Sequence, residues 1–140
     1  MSDKRDDLEP VTREMCREFF ADCEARMFPP IRLTHTLRSM AEQLHLYAKG
    51  RKQTENGWVV VDRKAVVTRA KPGDSPHNYG AAFDICFLGK VPYPDDDQLW
   101  EAIGITGEAC GLVWGGRWKS RVDEPHFENP AWREFREKKA

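Results

Sequence analysis

Two of the four histidines in this 140-residue chain stand beside carboxylates and turn residues. His77 lies in the segment SPHNYGAAFD, which ends at Asp84, and His126 lies in the segment DEPHFE. A catalytic zinc site needs three nitrogen or oxygen ligands and one open position for water, and two imidazoles with one carboxylate supply such a set. His77, Asp84 and His126 are therefore candidate metal ligands.

Each of these residues also has an ordinary structural interpretation. His77 can be a turn residue, Asp84 an ion-pair partner and His126 a core residue with satisfied hydrogen bonds. Spacing alone leaves both interpretations open. The step from His77 to Asp84 passes through Gly80 into a predicted strand, and His126 has to return on a second strand, so a metal site here would be assembled by folding.

Three helices are predicted around these segments. Apolar residues recur with a helical period over residues 11–27 and 37–49, which end at Pro29-Pro30 and at Gly50. A third helix is predicted over residues 98–110, with Asp96 or Asp97 as its cap and Gly111 at its end.

The remaining pattern predicts short strands. AAFDICFLG is a short apolar run bounded by glycine, which is typical of a central strand and places Asp84 on it. IRLTHT, WVVVD and AVVT favour extended structure, VDEPHFE a last strand, and the charged tail after it a short helix or frayed end.

Composition narrows the class of protein. Hydrophobic residues make up 40% and charged residues 32%, and 22 basic and 23 acidic side chains give a net charge of -1. These values predict one domain over residues 1–140, taken as a monomer, and argue against nucleic-acid binding. No apolar run approaches the roughly 20 residues of a membrane helix, and MSDKRDDLEP lacks a signal-peptide core, so we expect cytoplasmic synthesis without stable membrane association.

The four cysteines, Cys16, Cys23, Cys86 and Cys110, are scattered and form no Cys-x-x-Cys pair. Neither a disulfide framework nor a thiolate zinc site is indicated. We predict reduced, mostly buried thiols, with Cys86 buried on the strand that carries Asp84.

The two histidine segments resemble the motifs of the M15 metallopeptidases. SPHNYGAAFD matches Ser-x-His-x-x-Gly-x-Ala-x-Asp, and DEPHFE matches Asp-x-x-His. LRSMAEQLHLYAKGR and GLVWGGRWKSRVDEPHFE are similar to further segments of the endolysin branch, so the motif-bearing core covers about residues 31–128. The resemblance implies an α+β fold in which helices pack on a small antiparallel sheet, as in hedgehog domains and D-Ala-D-Ala peptidases.

The resemblance also implies a role for each motif residue. The zinc ligands fall on His77, Asp84 and His126, and the catalytic acid and base falls on Asp123. Glu124 has the same chemistry, and in an extended strand the alternation of side chains would place Glu124, rather than Asp123, on the face of His126. Pro125 can disturb that alternation, and Asp123 is the prediction.

Substrate contacts are implied at three further positions. Arg38 matches an arginine that faces the substrate and would stabilise a carboxylate or the developing oxyanion. Ser75 would contact substrate or orient the loop of His77, and Trp114, with Trp118, would wall the cleft or pack in the core.

The chain departs from the family pattern before Arg38. Relatives often read Ser-Gly-Tyr there, whereas this chain reads His35-Thr36-Leu37. Because neither His35 nor His45 has a carboxylate partner at ligand spacing, both are interpreted as structural histidines.

The activity implied is zinc-dependent cleavage of peptidoglycan stem peptides, with the L-alanyl-D-glutamate bond as the expected target. Such an enzyme would act as a phage endolysin that reaches the wall once the membrane is opened. The alternatives are a D-alanyl-D-alanine carboxypeptidase or dipeptidase, and a non-catalytic zinc-containing binding domain of the same fold.

Overall fold

The computed structural model describes residues 2–139, which form four α-helices, six β-strands and short 3-10 turns. The helices are α1 Pro10–Ala25, α2 Met40–Ala48, α3 Asp97–Ala109 and α4 Trp132–Lys139. The strands are β1 Ile31–His35, β2 Arg51–Thr54, β3 Gly57–Val60, β4 Ala82–Phe87, β5 Val113–Trp114 and β6 His126–Glu128.

Four of the strands form one antiparallel sheet in the order β1-β4-β6-β5, and β2 and β3 form a separate hairpin. The run AAFDICFLG therefore supplies a central strand, and the α+β class is confirmed. Phe83 of β4 pairs with Phe127 of β6, and both pack against Phe19 of α1. Both rings are fully buried, because α1 and α3 pack against this side of the sheet.

Local hydrogen bonds explain where the helices begin. Glu9 caps α1, because its carboxylate accepts from the amides of residues 11 and 12. α2 begins three residues later than predicted, at Met40, because Ser39 and Glu42 form a capping box at that point. Asp96 caps α3 through the amide of Leu99, as predicted.

One strand prediction was wrong and another was too long. AVVT is not a strand: a 3-10 turn covers Arg63–Ala65 and irregular chain follows it. Only the last three residues of VDEPHFE are extended, because residues 121–125 form a bend and a turn. The tail does form a helix, α4.

Further predictions concern the cysteines and the membrane. All four cysteines are buried free thiols, as predicted. Within residues 2–139, no helix has the length and hydropathy that crossing a bilayer requires.

Candidate metal centre

His77 lies in the 3-10 turn Pro76–Tyr79, directly before β4. Ser75 caps this turn, since its hydroxyl accepts from the His77 amide at 3.3 Å. Gly80 ends the turn at φ 65°, where a Cβ would lie 2.8 Å from the Asp7 carbonyl oxygen. Only glycine fits both the backbone angle and the space, so the chain can turn here from His77 toward β4.

Asp84 and His126 are directly opposite each other on β4 and β6. His126 Nδ1 lies 3.0 Å from Asp84 Oδ1, and His77 Nε2 lies 3.3 Å from Asp84 Oδ2. One ligand atom from each of the three residues lies within 4.8 Å of the other two. The structure therefore brings His77, Asp84 and His126 together with the spacing of a metal site.

The outer nitrogen of each imidazole is also held. His77 Nδ1 lies 3.0 Å from the Thr36 carbonyl oxygen, and His126 Nε2 lies 2.8 Å from Glu128 Oε1. Both oxygens only accept hydrogen bonds, so both of these nitrogens donate. Histidines that bind metals usually donate their second N–H to a carbonyl or carboxylate in this way, which fixes the tautomer.

That tautomer leaves two nitrogen lone pairs directed at one carboxylate. In neutral histidines, His77 Nε2 and His126 Nδ1 would both face oxygens of Asp84, and two acceptors in contact repel each other. A metal ion bound between the nitrogens and the carboxylate, or protons on the nitrogens, would remove this repulsion. The donor set therefore fits a metal ion without rearrangement of the outer contacts.

The pKa values of Asp84 and His126 show the same demand for positive charge. Burial alone would raise the pKa of Asp84, but the charge of His77 and hydrogen bonds from three histidines hold it well below its ordinary value. Burial would lower the pKa of His126, but its contacts with Asp84 and Glu128 raise it to about 10. His126 therefore holds its second proton more tightly than an ordinary histidine does, and metal binding would release that proton.

Asp123 lies in the turn before β6, at the edge of the metal centre. Its amide donates to the Gly115 carbonyl at 3.1 Å, and its own carbonyl accepts from the His126 amide at 3.1 Å. A Cβ on Gly115 would lie 2.3 Å from the Asp123 carbonyl oxygen, so this close approach requires glycine. Burial raises the pKa of Asp123, and the charge of His126 partly offsets that effect.

The side chain of Glu124 does not face the metal centre. Burial raises its pKa, as do the charges of Asp97, the first residue of α3, and of Asp95, two residues before it. Asp123 lines the cavity at the metal centre, whereas Glu124 does not. The alternation that favoured Glu124 was wrong, because residues 123–125 precede the strand and a turn does not alternate. The catalytic role of Asp123 stays a prediction.

Arg38 faces the same cavity. Its amide donates to the His77 carbonyl at 2.9 Å, and its Nη1 donates to Gln43 Oε1 at 3.0 Å. Gln43 is fully buried and also donates to the Ala70 carbonyl, so the guanidinium is held by a fixed group. Within the described residues 2–139, Arg38 Nε is buried without a hydrogen-bond partner, and Arg38 lines the cavity with the rest of its side chain.

The cavity has a volume of about 440 Å³ and is lined by the three candidate ligands, Asp123, Arg38, Ser75 and Trp118, among others. The centroids of the Trp118 and His126 rings lie 5.1 Å apart. The prediction that Trp114 walls the cleft was wrong: Trp114 is buried in the core, and its ring fills the space above Gly104. It supports the site indirectly, because its Nε1 donates to the Glu124 carbonyl at 2.8 Å.

Sequence reasoning missed two polar residues at the centre. Glu128 holds His126, and the signal was available, because residues 126 and 128 share a strand face. His35 was interpreted as having no carboxylate partner, and this was wrong: its Nδ1 lies 3.3 Å from Asp84 Oδ2. No pattern in the sequence indicated that contact.

The cavity holds two imidazoles and a carboxylate that fit one metal ion, together with a second carboxylate and an arginine. This set of groups defines the site of a metal-dependent hydrolase. Comparisons with known proteins identify the family. Two family models, both described as D-alanyl-D-alanine carboxypeptidase, match residues 5–97 and 68–129. The peptidoglycan L-alanyl-D-glutamate endopeptidase CwlK of Bacillus subtilis is 30% identical over 132 residues, which cover 87% of this chain and 73% of CwlK.

Solved structures share the fold. The L-Ala D-Glu endopeptidase ChiX of Serratia marcescens superposes with a TM-score of 0.60 at 21% identity, over 94% of this chain and 86% of ChiX. The D,D-pentapeptidase VanY from a VanB-type resistance cassette, solved as an E175A mutant with Zn(II), superposes with a TM-score of 0.61 at 14% identity, over 93% of this chain and 78% of VanY. The chain belongs to the M15 family of metallopeptidases, and the predicted family and enzyme class are confirmed.

Proposed function

We propose that this protein is a zinc-dependent peptidase that hydrolyses the L-alanyl-D-glutamate bond of peptidoglycan stem peptides. The observation that carries the proposal is the convergence of His77 Nε2 and His126 Nδ1 on Asp84, with their outer nitrogens held by Thr36 and Glu128. Similarity to CwlK over most of both chains supports the choice of bond.

A zinc ion bound by His77, Asp84 and His126 would supply Lewis acidity toward the scissile carbonyl and lower the pKa of a water molecule. Asp123 accepts the proton of the attacking water and delivers it to the amine as the C–N bond breaks. Its place in the cavity beside the three ligands suits both steps, because the group has to hold a proton between them. Arg38, which lines the cavity, supplies its positive charge to an oxygen of the substrate or the developing oxyanion.

The test is cleavage of a purified stem peptide, followed by mass spectrometry, with the zinc-loaded protein, after chelation and after zinc restoration. We expect the bond between L-alanine and D-glutamate to break only when zinc is present. His77→Ala should lose both zinc and activity, whereas His45→Ala should retain both, because His45 is exposed on α2. A zinc-loaded wild-type protein that leaves stem peptides intact would contradict the proposal.

A second candidate is a D,D-carboxypeptidase, because both matching family models carry that description. The same experiment separates the two activities, since a carboxypeptidase releases terminal D-alanine from a pentapeptide stem. Release of D-alanine with the L-alanyl-D-glutamate bond intact would replace the first proposal by the second.

Lysis of whole cells is the further part of the proposal, in the role of an endolysin. We expect zinc-dependent clearing of a suspension of outer-membrane-permeabilised bacteria, and His77→Ala should abolish it. Cleavage of free stem peptides without clearing would restrict the activity to wall fragments.

A further inference from the structure

His35 reaches the metal centre through an irregularity in β1. Leu33 pairs with Ile85, and His35 pairs with Asp84, so Thr34 is an extra residue between two consecutive positions of β4. Such a bulge changes which side chains face the partner strand, and bulges are common beside active sites. In a regular register Thr34 would oppose Asp84, and the side chain of His35 would point to the other face.

The bulge completes a row of three side chains across β1, β4 and β6. Asp84 lies in the middle, with His35 opposite it on one side and His126 on the other. Asp84 Oδ1 contacts His126 Nδ1 at 3.0 Å, and Asp84 Oδ2 lies 3.3 Å from both His77 Nε2 and His35 Nδ1. The Thr34 hydroxyl lies 3.4 Å from the same nitrogen of His35, a longer contact.

His35 differs from the other two histidines in its surroundings. Its side chain is 43% exposed, whereas those of His77 and His126 are 5% and 7% exposed. It belongs neither to the group whose ligand atoms lie within 4.8 Å of one another nor to the cavity lining of the described chain. His35 therefore contacts Asp84 without being part of the cavity lining or of the candidate ligand group.

We propose that His35 is a positioning residue for the metal site. Its Nδ1–H donates to Asp84 Oδ2 and fixes the plane of the carboxylate between His77 and His126. Carboxylate ligands of metals are commonly held in this way, and loss of such an outer contact typically weakens metal binding by about 10–100-fold. This inference rests on the proposed function, because it takes the ion to be zinc.

Zinc affinity, measured by competition with a chromogenic chelator, tests the proposal without reference to activity. We expect His35→Ala to bind zinc about 10–100-fold more weakly than the wild type. His35→Asn should stay close to the wild type, because its amide nitrogen is attached to Cγ as Nδ1 is in histidine. His45→Ala is the matched control and should leave zinc affinity unchanged, as an exposed histidine of α2.

Several results would overturn this assignment. Zinc affinity of His35→Ala within twofold of the wild type would show that the contact does not position Asp84. Loss of one nitrogen ligand in the X-ray absorption spectrum of zinc-loaded His35→Ala would make His35 a direct ligand instead. If His35→Ala does not fold, weak zinc binding by folded His35→Asn would count against the proposal, and failure of the wild type to bind zinc would overturn the proposed function first.

Discussion

The two faces of the central strands β4 and β6 have different roles: one packs in the core and the other carries the metal centre. Phe83 and Phe127 point to one face, where their rings stack at 5.6 Å between centroids and are fully buried. Asp84 and His126, their neighbours in sequence, point to the other face and form the metal centre. Because one register sets both faces, a slip by one residue would turn the rings toward the metal side and the ligands toward the apolar core.

The two faces also differ in what they demand of each residue. The apolar face needs volume and shape: Gly107 of α3 leaves room for the Phe127 ring, since a Cβ there would lie 2.5 Å from it. The metal face needs particular atoms, because each imidazole nitrogen has its own partner. Substitutions on the first face should therefore change stability, and substitutions on the second should change metal binding or catalysis.

The largest effect is expected for Asp123→Asn. The amide has nearly the same shape but cannot accept and return the proton, so kcat should fall by about 10²–10⁴-fold. Zinc affinity and the free energy of unfolding should stay near the wild-type values, because Asp123 is not among the grouped ligand atoms. Steady-state kinetics and chelator competition on the same preparation measure both.

Glu124→Gln is the matched control for that variant. Glu124 lies next in sequence but is affected by the charges of Asp95 and Asp97 rather than by the metal centre. Its kcat should therefore stay within a few-fold of the wild type. The opposite result, a large loss in Glu124→Gln with Asp123→Asn active, would assign the acid and base to Glu124.

Phe127→Ala should have the largest effect on stability. The ring is fully buried against Phe19 and Phe83, and its removal should lower the free energy of unfolding by about 3–5 kcal/mol. Val91→Ala is the control, because Val91 is 62% exposed and should change stability by less than about 0.5 kcal/mol. Denaturant unfolding of the zinc-free proteins tests this, and a loss in Phe127→Ala no larger than in the control would contradict it.

The sequence was sufficient for the part of the site that lies in short segments. The step from His77 to Asp84 crosses one turn and enters one strand, so a motif of fixed spacing describes it. The central strand, the start of α3 and the burial of the cysteines were predicted for the same reason, since each depends on local pattern.

The errors came from backbone geometry that only the folded chain defines. The bulge at Thr34 brings His35 to Asp84, and it depends on how β1 pairs with β4. The turn at residues 123–125 ends the strand alternation, and it depends on the close approach of Gly115. Trp114 and Trp118 are equally aromatic, and only the turn between them decides which one lies in the core.

An intermediate effect is expected for Glu128→Ala, which removes the partner of His126 Nε2. Without that acceptor the ring loses its fixed tautomer and orientation, so zinc affinity should fall by about 10–100-fold. Glu128→Gln should lose less, because its amide oxygen still accepts the hydrogen bond but carries no charge. Chelator competition measures the zinc affinity of both variants. Equal zinc affinity in Glu128→Ala and the wild type would show that Glu128 does not contribute to metal binding.

The smallest effect on the metal centre is expected from changes at the buried thiols. Their reactivity measures how well the apolar side of the sheet excludes water. Burial raises the pKa of Cys16, Cys23 and Cys110 to about 12 each, so at pH 8 the reactive thiolate is scarce in the native protein. Native labelling should be slow and become fast in denaturant, with Cys110, 8% exposed, reacting before Cys16, which is fully buried. Labelling followed by mass spectrometry measures this order.

The raised pKa values of these thiols also determine whether the free energy of unfolding rises or falls with pH. The native thiols bind protons more tightly than the unfolded chain, so their contribution to stability is fully present below their unfolded pKa of about 8.5 and is lost as pH rises toward 12. Alkaline pH should therefore lower the free energy of unfolding, and replacing Cys16 by Ala should reduce that dependence. Rapid labelling of native Cys16 at pH 8 would show instead that the apolar side opens readily, although Cys16 is fully buried in the native protein.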